Sequence, residues 1–145
     1  VNLAAELRHI PRSHLAGDPL PRLVCIHVPG AQYGGFYVHP FDGEYVLPND
    51  TAVPAASGVL VVNACDGCEA TVTHELRHHW QALRGLLPDA GSSFRFDGSD
   101  RGYWCAIRRY FRTYWHELDA LRYERKHCPT RLNEQWLDVT LRSAA

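Results

Sequence analysis

Methionine is absent from the chain, position 1 included, and lysine occurs once, at Lys126, against fourteen arginines. The first absence implies a lost start residue or an excerpt of something larger. The second is the kind of skew GC-rich coding produces, and no function is drawn from it. Also missing is any apolar run near the roughly 20 residues that a bilayer-spanning helix needs. Residues 1–14 lack the long apolar stretch of a signal peptide. There is no surplus of charge either: 15 basic and 16 acidic side chains leave a formal net charge of −1. Nucleic-acid binding draws on a basic excess, so that class is disfavoured. Internal repeats and low-complexity tracts are lacking too. The expectation is a cytoplasmic protein with neither a membrane nor a nucleic acid as partner.

What remains is ordinary globular material. Over 145 residues, 46% are apolar and 21% charged. That suits a single domain, residues 1–145, with a core large enough to need no staples. Five cysteines, Cys25, Cys65, Cys68, Cys105 and Cys128, make an odd number without an export signal. Reduced thiols, small and buried, are the default.

Periodicity predicts a short helix over 2–10, with Leu3, Leu7 and Ile10 in phase and closed by Pro11. Strands follow over 23–28, 35–39, 44–47 and 58–63. Asp42-Gly43 lies between the second and third of these and predicts a hairpin there; 48–58 reads as loop. The period then changes to 3.6. Asp66 with Glu69 has capping-box spacing, and a helix is expected over about 67–84, stopped by Gly85. Val72, Leu76 and Leu83 would face the core, and Trp80 would join it. A loop over 89–102, a candidate lid, leads to one long helix, roughly 103–127, with Trp104, Ile107, Phe111, Leu118 and Leu121 on its apolar face. A last helix, capped by Thr130 or Asn133, would run to Leu141. The order predicts an α+β fold with the helices segregated from a small sheet.

The chemistry concentrates at His74, Glu75 and His78, which match H-E-x-x-H. Residues i and i+4 of a helix lie one above the other, so both imidazoles can face one ion. Neutral imidazole suits Zn²⁺ at about 2.0–2.1 Å. Glu75 sits about 100° further round, placed to reach a water on that ion rather than the ion itself. A chain of this composition would contain the bare pattern by chance roughly 3% of the time. Its place in a capped, amphipathic segment directly after an apolar strand adds weight. His79 reads as a packing or supporting residue. Catalytic zinc wants a third protein ligand and one open position. Residues 115–124 offer Glu117, His116 and Glu124.

H-E-x-x-H followed downstream by Glu117-Leu118-Asp119-Ala120 resembles the gluzincin branch of zinc metallopeptidases. The length and order of elements resemble its small single-domain members, the minigluzincin type and similar prophage-encoded proteins. The resemblance covers about 59–124 and implies a zincin-like fold. That fold has a mostly antiparallel sheet of three to four strands, with the active-site helix and a second, ligand-bearing helix on one side. It implies His74, His78 and Glu117 as ligands of one catalytic Zn²⁺, and Glu75 as the general base that serves hydrolysis of a peptide or protein substrate. Many gluzincins carry an acid four residues after the ligand glutamate to orient a histidine. Here that place is Leu121, and Asp119 lies on the wrong side of the helix to replace it. Tyr114 is the expected donor to the tetrahedral intermediate, with Tyr110, His79 and Arg109 as other options. Substrate would lie along the edge strand of the sheet, either 59–63 or its neighbour.

Other readings compete. Cys65 and Cys68 with Cys105 and Cys128 could form a structural zinc site, but the second pair is too widely spaced for the usual ribbon. A redox role for the C-x-x-C at a helix N-terminus is chemically reasonable. Arg108 to Arg112 mixes basic and aromatic residues, read as a solvated face with a buried stripe. The functional alternatives are a non-catalytic metal-binding interaction or regulatory domain, and a zinc hydrolase acting on a non-peptide amide.

Overall fold

The computed structural model describes residues 10, 12–15, 17, 19–29, 34–63, 68–89, 91–92, 94–96, 98 and 100–142. The elements are a short helix α1 (Arg12–Leu15), strands β1 (Arg22–Ile26), β2 (Gly35–Val38), β3 (Glu44–Val46), β4 (Ala52–Pro54) and β5 (Val59–Asn63), then helices α2 (Cys68–Leu83), α3 (Asp100–Thr113), α4 (Trp115–His127) and α5 (Arg131–Leu141). The expected α+β order holds. The helix expected over 2–10 lies outside the described residues except for Ile10, as does the predicted cap residue Asp66.

β5 is the middle of a three-stranded sheet ordered β1-β5-β2. It pairs parallel with β1 and antiparallel with β2, so the main sheet is mixed rather than mostly antiparallel. All five of its residues are buried. A continuous apolar run of this kind is what a strand covered on both faces requires. Alternation sorts the two faces. Leu60 and Val62 pack with Val72 and Leu76 of α2 and with Ile10. Val59 and Val61 turn the other way, onto Ile26, Leu47 and Ala55. Of the two places expected for an edge strand, 59–63 is therefore excluded, and its neighbours β1 and β2 flank it.

The face away from α2 is covered by the β3–β4 ribbon, which pairs antiparallel. This ribbon corrects the predicted hairpin. Its turn is not Asp42-Gly43 but Leu47 to Thr51: Asp50 N–H donates to Leu47 O, and Leu47 N–H to Thr51 O. Pro48 suits the second place of a type I turn, and Asp50 takes the left-handed conformation (φ 66°) that closes a three-residue hairpin loop. Asp42-Gly43 instead forms the corner leading off β2. Phe41 N–H donates to Ala55 O and Ala55 N–H to Gly43 O, which splices the corner onto the ribbon.

The helical half has its own core. Ile107 and Phe111 of α3 meet Leu121 of α4 and Leu137 of α5. The long helix expected over 103–127 is in fact two, parted at Tyr114, whose backbone is extended (φ −108°, ψ 92°). No Pro or Gly occurs in that stretch, so nothing local announces the break. Packing accounts for it, because the two pieces both turn apolar residues into the same three-helix core. The break also places Glu117 in the first turn of α4, where the helix macrodipole favours a carboxylate. α5 begins as expected: Thr130 and Asn133 form a reciprocal capping box. Arg108 and Arg112 donate to the Arg142 carbonyl, and Arg112 also to Thr140 O, so they satisfy the far end of α5.

Two core assignments fail. Leu83 is exposed at the end of α2, past the sheet it was expected to cover. Trp80 is only half-buried, flanked on its ring faces by Arg77 and Arg84 at 4.0 and 4.3 Å. Among the cysteines, Cys105 is exposed and Cys25 and Cys128 are half-buried. Cys65 and the side chain of Cys68 lie outside the described residues. No helix among the described residues is long and apolar enough to cross a membrane.

Candidate metal centre

α2 rests on the sheet through a close approach. At Gly35 of β2 a Cβ would fall 2.6 Å from Val61 O and 2.7 Å from the Thr71 side chain, so this strand position must be glycine for the helix to seat. His79 fastens the same interface. The Tyr37 hydroxyl donates to its Nδ1 at 2.7 Å and its Nε2 donates to Pro19 O at 2.6 Å. It is buried and supports the helix from the side of the sheet, as expected.

With that side anchored, α2 turns His74 and His78 toward α4. Their rings meet edge to face one turn apart, 5.0 Å between centroids. Glu117 enters between them: His74 Nε2 lies 3.0 Å from Oε2, and His78 Nε2 lies 3.3 Å from Oε1. Side chains of His74 and Glu117 are each 13% exposed and that of His78 6%. One donor atom from each of the three falls within 4.8 Å of the others. Donors at about 2.0–2.1 Å from a tetrahedral ion stand about 3.3–3.4 Å apart, and the two contacts to Glu117, 3.0 and 3.3 Å, lie near that spacing.

The outer nitrogens are held as well. His74 Nδ1 is 3.1 Å from Glu124 Oε1, and His78 Nδ1 is 2.8 Å from Gln81 Oε1. Behind them, Asn133 Nδ2 donates to Glu124 Oε2 at 2.6 Å. Gln81 Nε2 donates to Asp119 Oδ2 at 2.8 Å and to His116 O at 3.0 Å, while Arg77 grips Asp119 with two hydrogen bonds. An acceptor at each Nδ1 keeps the proton there and frees each Nε2 as a ligand, the arrangement that orients metal-binding imidazoles.

The charges fit a cation. Glu75, Glu117 and Glu124 crowd two imidazoles, and the nearby Arg77 is engaged by Asp119. Burial opposes the charged form of His74, yet its bonds to Glu117 and Glu124 hold it well above the usual imidazole range. His78 is raised by Glu117 in the same way. Burial would lift Glu117, but the two histidines win and keep it far below the ordinary carboxylate range. Glu75 goes the other way: burial pushes its carboxyl up, outweighing the nearby imidazoles. It makes no side-chain hydrogen bond among the described residues.

Of the remaining candidates, Tyr114 caps the start of α4 and touches the rings of Tyr110 and His116 at 5.3 and 5.8 Å. It has no hydrogen bond to the trio among the described residues. Tyr110 stands closer, its hydroxyl 2.7 Å from Ser92 Oγ, which donates to Glu117 Oε1 at 3.2 Å. Burial and then the charge of Glu117 raise the Tyr110 hydroxyl above its ordinary range. Ser92 and Phe94 lean on α3 within the segment expected as a lid, Phe94 stacking edge-on to Tyr110 at 5.7 Å. Arg109 points elsewhere, donating to Arg95 O. His116 is buried behind the trio, 3.8 Å from Glu117 Oε1, and Glu124 touches His74 from outside; neither joins the three.

Gln81, Ser92 and Asn133 were not foreseen as site residues. Gln81 had a signal, three residues after His78 and so on the same helix face. Ser92 had none. Asn133 was foreseen only as a cap. Comparison of the chain with protein-family models, with curated proteins and with solved structures gives no match.

Proposed function

We propose that this chain is a zinc-dependent metallopeptidase of the zincin type, with His74, His78 and Glu117 as ligands and Glu75 as general base. The reading rests on one observation above the rest: two imidazoles from α2 and a carboxylate from α4 converge in a mostly buried space. Their donor set, two neutral nitrogens and one carboxylate with a position to spare, is that of catalytic rather than structural zinc. Zinc bound there would supply Lewis acidity and a water of lowered pKa.

The chain's own residues do the rest. Glu124 and Gln81 hold the two imidazoles with Nδ1 protonated, so each faces inward through Nε2. Glu75 accepts the proton of the attacking water at its carboxylate and delivers it to the leaving amine nitrogen. Burial raises the affinity of Glu75 for that proton, which suits a group that must take and return it. Tyr110, linked to Glu117 through Ser92, supplies a hydroxyl for charge that develops on the scissile carbonyl, a role for which Tyr114 lacks a contact to the trio among the described residues. Extended substrate would pair along an edge of the mixed sheet.

The test is zinc content and cleavage of a peptide library by the parent and by Glu75→Gln. Zinc in both proteins with cleavage by the parent alone supports the proposal. Zinc in both with cleavage by neither favours a non-catalytic metal-binding domain. Failure of the parent to take up zinc removes the proposal altogether.

A further inference from the structure

α5 lies behind α4, remote in sequence from the histidines, yet its first turn reaches the centre through two hydrogen bonds. Asn133 is fully buried. Its backbone N–H donates to Thr130 Oγ1 at 3.1 Å, and its Oδ1 accepts from Thr130 N at 2.9 Å. The capping box therefore fixes the side chain at its oxygen. The amide nitrogen spends both hydrogens, one on Cys128 O at 2.9 Å and one on Glu124 Oε2 at 2.6 Å. Glu124 then presents its other oxygen to His74 Nδ1 at 3.1 Å.

The third position of a capping box needs only an acceptor for the N-cap N–H, and a carboxylate would serve. The chain uses a side chain that accepts on one side and donates on the other. We propose that Asn133 is a positioning residue of the metal centre. By donating to Glu124 it sets which carboxylate oxygen faces His74, and so sets the tautomer and direction of that imidazole. The relay rests on the metal-binding part of the function proposed above and does not depend on peptidase activity.

The relay has a polarity that can be reversed. In Asn133→Asp the capping acceptor survives, but a carboxylate now faces Glu124. In Glu124→Gln an amide faces the Asn133 amide. The introduced amide must turn its oxygen to Asn133 and its N–H to His74, which moves the imidazole proton to Nε2 and blocks the ligand atom. In the double variant Glu124→Gln/Asn133→Asp the two groups are exchanged. The amide introduced on α4 donates to the carboxylate introduced on α5 and again offers its oxygen to His74, with net charge unchanged; the one bond not restored is that to Cys128 O, whose loss the double variant shares with Asn133→Asp and which is read in the melting temperature.

The experiment measures Zn²⁺ affinity by competition with a chromophoric chelator, and the visible spectrum of the Co²⁺ form, with melting temperature as a check on folding. Each single variant should lose about 10- to 100-fold in affinity, the cost usual for an outer partner of a metal-bound histidine. The double variant should recover most of that loss and the parent Co²⁺ spectrum. If Asn133→Asp does not fold alone, recovery in the double variant relative to Glu124→Gln carries the result. Parent-like affinity in the single variants, or a double variant no better than them, overturns the relay. A parent chain that binds no Zn²⁺ overturns the metal reading itself, a different result.

Discussion

On its sheet side, α2 presents Val72 and Leu76 to Leu60 and Val62, and the contact is mainly aliphatic, with the His79 bonds to Tyr37 and Pro19 at its margin. On the side of α4, it presents His74, Arg77, His78 and Gln81, and the contact is made of hydrogen bonds and ion pairs. One helix thus carries two interfaces of opposite physics. Apolar packing is non-directional and tolerates changes of shape that conserve volume. A buried polar network is directional, and its worth depends on every member being satisfied. The sheet side therefore supplies most of the apolar stability and seats the helix, whereas the α4 side aims the imidazoles. A site that must aim two nitrogens at one point belongs on the second.

Mutations on the two sides should separate these roles. The largest effect is expected at Glu75: Glu75→Gln should reduce peptide cleavage by about 10²- to 10⁴-fold, the usual contribution of a positioned base. Zinc content should not change, and melting temperature should not fall, since a buried carboxylate held above its ordinary range is a cost to the fold. A drop in zinc content would show Glu75 to be a ligand. Next comes the sheet side, where Leu60 is fully buried. Leu60→Ala should cost about 2–5 kcal/mol by denaturant unfolding, with zinc affinity of the folded protein unchanged. If affinity falls in step with stability, the two interfaces are not independent.

Gln81→Leu tests the polar side with little change of volume. It removes the acceptor of His78 Nδ1 and should weaken Zn²⁺ binding by about 10- to 100-fold in a chelator competition. Unaltered affinity would mean that His78 needs no partner at that nitrogen.

The smallest effect is on pH. In the metal-free protein His74 and His78 are both held above the ordinary imidazole value, Glu117 outweighing burial. A raised folded-state pKa contributes stability that is complete below the unfolded value, about 6.5, and fades as pH rises through the folded one. The metal-free melting temperature should therefore fall as pH rises above about 6.5. Over the same window added Zn²⁺, which takes neutral imidazole, should stabilise progressively more. A metal-free melting curve that shifts upward with pH would contradict the sign.

Legibility in the sequence also divides between the two sides. Helix α2 was readable almost to the residue, because its apolar period and the stop at Gly85 are local signals. The histidine pair was readable because i and i+4 share a helix face whatever the helix packs against. β5 was readable as a strand, but not as the central one, since pairing partners are distant in sequence. The break at Tyr114 left no local trace, because it answers to packing of Phe111 and Leu121 in one core. Asp42-Gly43 is a stronger local turn signal than Pro48-Asn49-Asp50, and the short β4 carries no strand period of its own, so the true hairpin is not legible locally. Glu124, by spacing a candidate ligand, stands instead outside His74, two turns after Glu117 on the same side of α4.

By itself the amino-acid order determined the elements whose causes are short-range: the period of α2, the aliphatic run of β5, the cap of α5, and two imidazoles on one helical face. The tertiary structure decided what those imidazoles meet. Bringing Glu117, Glu124 and Asn133 onto a helix forty to sixty residues earlier is the work of helix packing. That depends on the summed burial of many side chains, and no single residue or spacing encodes it.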